Sequence, residues 1–488
     1  MEDADSSGSG PAADPAAGPA AGSAARGGID RALLESVIKA YDIRGVVPDQ
    51  LDPDFCRAVG TAFVEALSAE GAVSGVVVGY DMRPSSPELA RAFAEGVASA
   101  GVDVTVIGLA STDQLYCASG LLGLPGAMFT ASHNPAKYNG IKLCRAYAAP
   151  VGQESGLGLI SDLLATGVGS AAGDSREQGS ITESDMLGDY VAHLHSLVDL
   201  SAIRHLTVAV DAGNGMAGRT APAVLGGLPL TVIPLFFELD GTFPNHEANP
   251  IEPDNLRDLQ AAVVTHGADI GLAFDGDADR CFVVDERGEL VSPSTLTALI
   301  ADRELKRDPG GTIIHNLITS RAVPEVVAEG GGTAVRTRVG HSFIKAVMAE
   351  TGAVFGGEHS GHFYFRDFWR ADSGMLAALH VLAELGGSEK TLSQLLQSYQ
   401  RYVGSGEINS TVQDQAGTVA LIRQRWSAAD GVTVDELDGL TVAARDWWFN
   451  VRASNTEPLL RLNVEATDQA TMSRVRDEVL GQIRGEDR

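Results

Sequence analysis

The residues with the clearest chemical potential are three aspartates at alternate positions, Asp275, Asp277 and Asp279. They follow the apolar run 270–274 directly, and Arg280 comes next. An unpaired carboxylate is too costly to bury in an apolar interior, so the acids are expected to converge on a shared partner. Hard carboxylate oxygens suit Mg²⁺, which usually also binds a substrate phosphate, and arginine is a planar phosphate donor. The pattern favours metal-assisted phosphoryl chemistry, although a solvated acidic turn explains the spacing alone equally well.

A calcium-binding loop is the sharper alternative for the same acids, because Glu286 stands at the twelfth position counted from Asp275. Such a loop needs glycine at its sixth position for a sharp turn, and this chain has Arg280 there. Residues 281–284 also read as a buried strand and not as a ligand loop. Calcium is therefore not expected.

Ser132 lies in a polar turn, residues 130–135 (Thr-Ala-Ser-His-Asn-Pro), that follows an apolar stretch. A serine flanked by small residues and followed by His133 can accept a phosphoryl group. It can also cap a helix, which is the commoner role for serine in such a place. A Ser-His-Asp hydrolase fits less well, because no G-x-S-x-G elbow surrounds Ser132. The residues alone leave acceptor and cap open.

Two further polar segments carry groups that bind sugars and phosphates. Residues 357–362 (Gly-Glu-His-Ser-Gly-His) offer a carboxylate, a hydroxyl and two imidazoles to a polyhydroxylated ligand. Zinc is the competing interpretation there, but H-E-x-x-H and a nearby cysteine are both missing. Residues 452–458 (Arg-Ala-Ser-Asn-Thr-Glu-Pro) can bind a phosphate through arginine, hydroxyl and amide groups. The alternative is an ordinary turn between strands with Arg452 exposed.

Short apolar runs precede turns of this kind along most of the chain, as at 76–78, 207–210, 270–274 and 312–314. Helical stretches begin at Ser86 and near Asn255, each with proline at or near its start and glycine at its end. Continuous apolar runs between helices are typical of largely parallel sheets covered on both faces. After about residue 400, three strands and one final helix give an α+β pattern.

Composition limits the possible partners. The chain has 488 residues, and its net charge is 36 minus 64, or −28, which argues against nucleic acid or an anionic membrane as a partner. A phosphorylated ligand would therefore need a local cationic pocket. The sequence has no run of 18 apolar residues, no signal-peptide pattern at its N-terminus, and four scattered cysteines. We expect a cytoplasmic protein without a membrane span, a disulfide framework or a zinc site.

Taken together, these segments resemble the α-D-phosphohexomutases, and most closely the bacterial phosphomannomutase/phosphoglucomutase group. The residues that carry the resemblance are 40–45 (AYDIRG), 79–86 (GYDMRPSS), 130–135 (TASHNP), 275–280 (DGDADR), 357–362 (GEHSGH) and 452–458 (RASNTEP). They keep one order from residue 40 to residue 458. Six motifs in one order are very improbable by chance.

The resemblance implies four domains around a central cleft: three similar mixed-sheet α/β domains and a C-terminal α+β domain. With the strand pattern it gives the α/β domains as 29–178, 179–289 and 290–400, and the last domain as 401–488. Residues 1–28 are almost entirely small and polar, and such a segment has too little apolar surface to order itself. We expect a disordered tail there.

The resemblance also implies roles for single residues. Ser132 should be the phosphoserine, and Asp275, Asp277 and Asp279 should hold one Mg²⁺ together with a phosphoserine oxygen. Sugar hydroxyls should contact Glu358 and Ser360. The phosphate that does not react should be held by Arg452, Ser454, Asn455 and Thr456. The remaining cleft residues should be Arg44, His133, Lys142, Arg280, His341 and His362, with Lys142 the first candidate for proton transfer and His362 the second.

The implied reaction interconverts hexose 6-phosphate and hexose 1-phosphate through the phosphoserine and a hexose 1,6-bisphosphate, which also serves as activator. His359 at the variable position of the sugar loop resembles phosphomannomutases and dual-specificity enzymes, so mannose phosphate is expected and glucose phosphate with it. The alternatives are a phosphoglucosamine mutase and a non-catalytic or hydrolytic sugar-phosphate-binding relative. The chain is expected to be a monomer or a homodimer.

Overall fold

Four β-sheets organise the residues that the computed structural model describes, which are 28–167, 177–454 and 459–485. The expected tail, 1–28, lies outside these residues except for Gly28. No helix in the described part of the chain has the length and apolar character that a membrane crossing requires.

The first unit contains the sheet that positions Ser132. Its helices and strands are α1 (Arg31–Val37), β1 (Ile43–Val46), α2 (Pro53–Ser68), β2 (Val76–Tyr80), α3 (Ser86–Ser99), β3 (Val104–Leu109), α4 (Thr112–Leu122), β4 (Gly126–Phe129), β5 (Tyr138–Arg145), β6 (Ala149–Pro150), α5 (Gly158–Thr166) and β7 (Ile181–Glu183). The strand order is β1-β5-β4-β2-β3-β7, with β6 beside β5. Strands β4, β2, β3 and β7 run parallel, whereas β5 is antiparallel to both β4 and β1.

The second unit positions the three aspartates. It comprises α6 (Leu187–Leu197), β8 (Leu206–Asp211), α7 (Ala217–Leu225), β9 (Leu230–Leu235), α8 (Arg257–His266), β10 (Ile270–Phe274), β11 (Cys281–Asp285) and β12 (Leu290–Val291). The sheet order is β12-β11-β10-β8-β9. All five residues of β10 are buried, as the unbroken apolar run 270–274 predicts for a central strand.

The third and fourth units follow. The third has α9 (Pro293–Arg307), β13 (Thr312–Asn316), α10 (Ala322–Glu329), β14 (Thr333–Thr337), α11 (His341–Thr351), β15 (Phe355–Gly357), β16 (Phe363–Phe365), α12 (Gly374–Gly386) and α13 (Leu392–Leu396). The fourth has β17 (Val403–Thr411), α14 (Gln415–Trp426), β18 (Thr433–Asp435), β19 (Leu440–Ala443), β20 (Trp447–Ala453), β21 (Leu459–Ala466) and α15 (Gln469–Arg484). The third sheet is mixed, in the order β14-β13-β15-β16, and the fourth is antiparallel, in the order β17-β21-β20-β19-β18.

The predicted fold class, three mixed-sheet α/β domains followed by an α+β domain, is confirmed. The expectation of largely parallel sheets needs a correction: each of the first three sheets contains an antiparallel hairpin, β4–β5, β10–β11 and β15–β16. The predicted domain boundaries stay predictions, and β7 pairs with β3 just beyond the boundary expected at residue 178.

Of the three largest clusters of buried side chains, one extends across units and two stay within a unit. The largest cluster joins residues of α4 in the first unit, such as Tyr116, to the sheets and helices of the second and third units. Separate clusters fill the first unit and the fourth. The first three units are therefore packed on each other through shared apolar surface, whereas the fourth has a core of its own.

Candidate active site

The loop between β4 and β5 places Ser132 in a strained backbone conformation. Ser132 is 2% exposed and has φ +48°, a left-handed value that costs a non-glycine residue free energy and is concentrated at functional sites. The hydroxyl Oγ of Thr130 accepts the Ser132 N–H at 2.9 Å. The interpretation of Ser132 as a helix cap is wrong, because the loop leads into strand β5 and the intervening residues form turns.

The turn between β10 and β11 brings the three aspartates to this serine. Ser132 Oγ donates to Asp275 Oδ2 at 2.7 Å. One carboxylate oxygen from each of Asp275, Asp277 and Asp279 lies within 4.8 Å of the others. All three side chains are buried. The acids therefore converge on one point beside the Ser132 hydroxyl, as their spacing predicts.

The same carboxylates fit a divalent cation. Asp277 Oδ1 and Asp279 Oδ1 are buried and have no hydrogen-bond partner among the described residues, and a buried acceptor left unpaired is costly. Three convergent carboxylates are the hard ligand set that Mg²⁺ prefers, and two of them have an oxygen without a hydrogen-bond partner among the described residues. Asp275, Asp277 and Asp279 could hold such an ion.

Two cationic side chains lie against the acids, one from strand β5 and one from the turn itself. Lys142 of β5 places Nζ 2.6 Å from both Asp277 Oδ2 and Asp279 Oδ2. Arg280 donates its backbone N–H to Asp275 Oδ1 at 3.2 Å, and its Nε lies 3.5 Å from Asp275 Oδ2. This is the local cationic lining that a phosphorylated ligand requires in a chain of net charge −28.

Burial and charge act in opposite directions on these groups. Burial and repulsion from its two neighbours raise the pKa of Asp275 well above its ordinary value. Burial alone would also raise the pKa of Asp277 and Asp279, but the Lys142 ammonium lowers it on balance. Conversely, burial alone would lower the pKa of Lys142, while Asp277 and Asp279 raise it well above its usual range. Lys142 is thus a cation that serves as counter-ion to two of the acids.

His133 and Arg44 lie close to Ser132 and its loop. The His133 Nδ1 atom is 3.2 Å from Ser132 Oγ. Burial, and then the charges of Arg280 and Arg44, lower the pKa of His133 to about 2, so its imidazole is neutral. The Arg44 guanidinium donates to the side chains of Asn134 and Asp42, each at 2.5 Å. His133 therefore contacts the Ser132 hydroxyl, and Arg44 contacts the loop that carries it.

The segment predicted to recognise the sugar, residues 357–362, forms the hairpin loop between β15 and β16. Buried Glu358 accepts hydrogen bonds from the Tyr364 hydroxyl at 2.7 Å and the Gly340 N–H at 3.1 Å. Ser360 Oγ lies 2.9 Å from His362 Nδ1. Arg280 Nε donates to His362 Nε2 at 3.2 Å, which joins this loop to the aspartate loop. Burial, and then the charge of Arg280, lower the pKa of His362.

The phosphate-binding segment lies partly outside the described residues. Arg452 is paired with Glu407 at 3.0 Å and is not the exposed side chain that the ordinary-turn interpretation requires. The Ser454 N–H donates to the Leu459 carbonyl at 2.9 Å. Asn455 and Thr456 lie outside the described residues, as does the side chain of His341, whose backbone begins α11.

Burial lowers the pKa of the half-buried His359 imidazole, while the charge of Glu407 opposes this and that of Arg452 adds to it. The Arg452–Glu407 pair of the fourth unit is therefore close enough to act on the loop between β15 and β16.

The structure adds residues that the sequence did not single out. Thr112, the first residue of α4, donates its hydroxyl to Asp277 Oδ2 at 2.5 Å and its N–H to the Asp277 carbonyl at 3.0 Å. Arg83 contacts the backbone of the Ser132 loop. Asp372 pairs with Lys345 at 2.6 Å in a buried ion pair. Among these residues, only Arg83 could have been found from the sequence, because it lies in the segment 79–86 that carried the family resemblance.

Comparison with known proteins agrees with this geometry. Four family models match the chain in order, described as phosphoglucomutase/phosphomannomutase alpha/beta/alpha domain I at residues 35–165, domain II at 188–288, domain III at 292–402, and the C-terminal domain at 407–482. The chain belongs to the phosphoglucomutase/phosphomannomutase family. The prediction that it is an enzyme, an intramolecular phosphotransferase of the hexose phosphate mutase class, is confirmed.

Individual relatives are similar along almost their whole length. The phosphohexose mutases of Xanthomonas campestris pv. campestris are 39% identical over 450 residues, or 92% of this chain and 99% of that protein. The phosphomannomutase of Escherichia coli K12 is 37% identical over 449 residues, or 91% of this chain and 97% of that protein. The crystal structure of a phosphoglucomutase/phosphomannomutase family protein from Burkholderia thailandensis has a TM-score of 0.82 at 34% identity, covering 93% of this chain and 98% of that one.

Proposed function

We propose that this mutase interconverts mannose 6-phosphate and mannose 1-phosphate, and the corresponding glucose phosphates, with Ser132 as the phosphoryl carrier. The observation that carries the proposal is the 2.7 Å contact of Ser132 Oγ with Asp275 inside a cluster of three convergent carboxylates. A hydroxyl held against a cation site is placed where a phosphoryl group on it would meet neutralising charge.

The proposed reaction proceeds in two transfers. Phospho-Ser132 gives its phosphoryl group to the free hydroxyl of a hexose monophosphate, which forms the hexose 1,6-bisphosphate and a free serine. The bisphosphate turns end for end, and its other phosphoryl group returns to Ser132. The P–O bond that breaks in each step is replaced by one P–O bond, and one proton moves from the attacking to the leaving hydroxyl. Hexose 1,6-bisphosphate added from outside would prime the unphosphorylated enzyme.

Positioning and charge neutralisation supply most of the rate in phosphoryl transfer. Asp275, Asp277 and Asp279 would hold the Mg²⁺ ion, whose chemistry is neutralisation of charge on the phosphoryl oxygens. Lys142 remains the first candidate for proton transfer and His362 the second. Arg280 lies between the Ser132 side and the sugar loop, where it contacts both Asp275 and His362.

Glu358 and Ser360 would bind the sugar hydroxyls, and Arg452 with Ser454, Asn455 and Thr456 would hold the phosphate that is not reacting. His341 would line the same space. The names of the relatives from Escherichia coli and Burkholderia thailandensis support mannose and glucose phosphates as substrates. Comparison of rates with mannose, glucose and glucosamine 1-phosphates tests this choice against a phosphoglucosamine mutase. A cytoplasmic location and a monomeric or homodimeric state stay predictions.

The direct test is conversion of mannose 1-phosphate to mannose 6-phosphate with Mg²⁺ and a trace of glucose 1,6-bisphosphate. We expect Ser132→Ala to abolish it. Ser196→Ala, a change on the exposed face of α6, is the matched control and should keep full activity. Full activity of Ser132→Ala would remove the phosphoserine assignment, and steady release of phosphate without isomer formation would favour a hydrolase.

A further inference from the structure

Arg83 is a fully buried arginine that the proposed reaction does not use. It is 1% exposed and lies between β2 and α3, beneath the loop that carries Ser132. Its Nε atom donates to Asp81 Oδ2 at 3.1 Å, and its backbone N–H donates to Asp81 Oδ1 at 3.1 Å. A buried guanidinium is tolerated only when its charge is paired and its N–H groups have acceptors. The acceptors of the remaining N–H groups therefore indicate the role of Arg83.

Those donors all reach the backbone of the Ser132 loop. The Nη1 atom donates to the carbonyls of Pro135 and Tyr138, both at 3.0 Å. The Nη2 atom donates to the carbonyls of Ser132 at 2.8 Å and Asn134 at 2.7 Å. With the bond to Asp81, all five N–H groups of the guanidinium have an acceptor.

The loop satisfies only some of its carbonyls by itself. It contains neither a helix nor a strand between Ser132 and β5, and its own backbone N–H groups donate to the carbonyls of Ala131 and Pro135, although buried carbonyls must be paired. Ser132 also holds φ at +48°, a conformation that persists only where the surroundings impose it. Arg83 supplies the donors that regular secondary structure would otherwise provide.

The aspartate loop also lies close to the carbonyl of Ser132. A Cβ atom placed on Gly276 would lie 2.4 Å from the Ser132 carbonyl oxygen, so the aspartate loop approaches the serine loop as closely as a glycine allows. The ring of Phe243, in the second unit, lies 5.2 Å from the Arg83 guanidinium carbon. Arg83 thus holds the serine loop at the contact between the first two units.

We propose that Arg83 is a positioning residue, which orients the Ser132 hydroxyl toward the aspartate cluster by fixing four carbonyls of the loop. Its effect on turnover rests on the proposed function, whereas its effect on the loop does not. Lysine at this place would keep the positive charge but has one ammonium group with three donors. It cannot reproduce the planar fork that serves Asp81 and four carbonyls at once.

The test is Arg83→Lys, assayed for turnover. We expect kcat to fall about 100-fold, the effect of misplacing a reacting group by roughly 1 Å, while KM for mannose 1-phosphate stays nearly unchanged because Arg83 does not touch the sugar. Arg204→Lys is the matched control: Arg204 also binds an aspartate and two carbonyls, those of Asp269, Ser388 and His205, but it lies away from Ser132.

Hydrogen exchange of the backbone amides separates this proposal from the proposed function. In Arg83→Lys we expect faster exchange in residues 131–138, with β10 and the fourth unit unchanged, whether or not the wild type is a mutase. A wild type without mutase activity would defeat the proposed function, and the exchange data would still decide the role of Arg83.

The proposal would be overturned by a normal kcat, by an increase in KM without a change in kcat, or by unchanged exchange in residues 131–138. If Arg83→Lys does not fold, Asp81→Asn removes the charge that holds Nε and should give the same loss of kcat. Normal kcat in Asp81→Asn would overturn the proposal equally.

Discussion

At the scale of single residues, the three buried acids have counter-ions within the chain. Asp277 and Asp279 share the Lys142 ammonium, and Asp275 lies against Arg280. Arg280 follows Asp279 in the same turn, whereas Lys142 comes from strand β5 of the first unit. Removal of one partner from a buried ion pair leaves an uncompensated charge, which is far more costly than the pair itself.

Lys142→Met should therefore destabilise the metal-free protein by about 3–5 kcal/mol. Mg²⁺ should recover much of this loss, because a cation bound only to the folded state adds about 2.7 kcal/mol at 100 times its dissociation constant. The measurement is urea unfolding of the wild type and the variant, with and without saturating Mg²⁺. Mg²⁺ should stabilise the variant more than the wild type, in which Lys142 competes for the same oxygens.

Lys306→Met is the control for this prediction. Lys306 pairs with Asp302 at 2.9 Å on an exposed helix face, and such pairs contribute about 0–1 kcal/mol. An equal response of Lys142→Met and Lys306→Met to Mg²⁺ would show that Lys142 does not act as a counter-ion of the acids.

The sequence predicted the acids and the serine but not the residues that orient them. Asp275, Asp277 and Asp279 are close in sequence, so their spacing alone indicates convergence. Thr112 contacts Asp277, which lies 165 positions away in the sequence. The residues beside Thr112 in the sequence do not indicate this contact. Arg83 was visible as part of a motif, but its acceptors are backbone carbonyls, which every sequence has.

At the scale of elements, the first residue of helix α12 packs against the backbone of the aspartate turn 275–280. This residue, Gly374, has no room for a side chain: an added Cβ would lie 2.5 Å from the Arg280 carbonyl oxygen and 3.1 Å from that of Ala278. The preceding Ser373 caps the helix by accepting the Leu376 N–H at 3.0 Å. The helix start and the aspartate turn 275–280 are thus in direct backbone contact.

Gly374→Ala should push this turn away from the helix. Overpacking of a rigid contact costs about 1–3 kcal/mol, and displacement of the aspartates should lower kcat at least about tenfold. Urea unfolding and the mutase assay measure the two effects. Gly188→Ala is the control, since Gly188 is an exposed glycine in the first turn of α6 with no atom near an added Cβ, and alanine there should stabilise the helix by about 0.5–1 kcal/mol. Similar behaviour of the two variants would contradict the contact.

Most elements followed from local pattern, and the exceptions have a physical reason. The run 270–274 became β10 without change, and the helix expected from Ser86 is α3. The apolar runs alone favoured largely parallel sheets, because such a run indicates burial but not strand direction; the mixed sheets were implied by the family resemblance. Strand β11 is as buried as β10, yet it runs antiparallel because the turn 275–280 is too short for a crossover.

At the scale of the whole molecule, Asp113 joins the first three units. This buried carboxylate accepts hydrogen bonds from Ser111 in its own unit, from the Tyr190 hydroxyl of the second unit at 2.7 Å, and from the Ser373 hydroxyl of the third at 2.6 Å. Burial raises the pKa of Asp113 to about 6, the three hydroxyls oppose the rise, and the charge of Asp279 adds to it.

This raised pKa makes stability depend on pH. Because the folded state binds the proton more tightly than the unfolded state, the contribution of Asp113 falls as pH rises from the ordinary value of 3.8 to about 6. Between about pH 5 and about pH 7 the wild type should lose roughly 1 kcal/mol more than Asp113→Asn, whose amide does not titrate. Urea unfolding at the two pH values measures the difference, in which the other titrating groups cancel. Parallel pH profiles of wild type and variant would contradict the raised pKa.

The convergence of three units on Asp113 has a consequence for how such proteins can recombine. A gene exchange that replaces one of the first three units must bring a hydroxyl to the position of Ser111, Tyr190 or Ser373, or it leaves a buried carboxylate short of a donor. The fourth unit contributes nothing to this junction and has a core of its own. Replacement of the fourth unit alone would leave the three hydrogen bonds to Asp113 intact, whereas replacement of any of the first three must keep its donor.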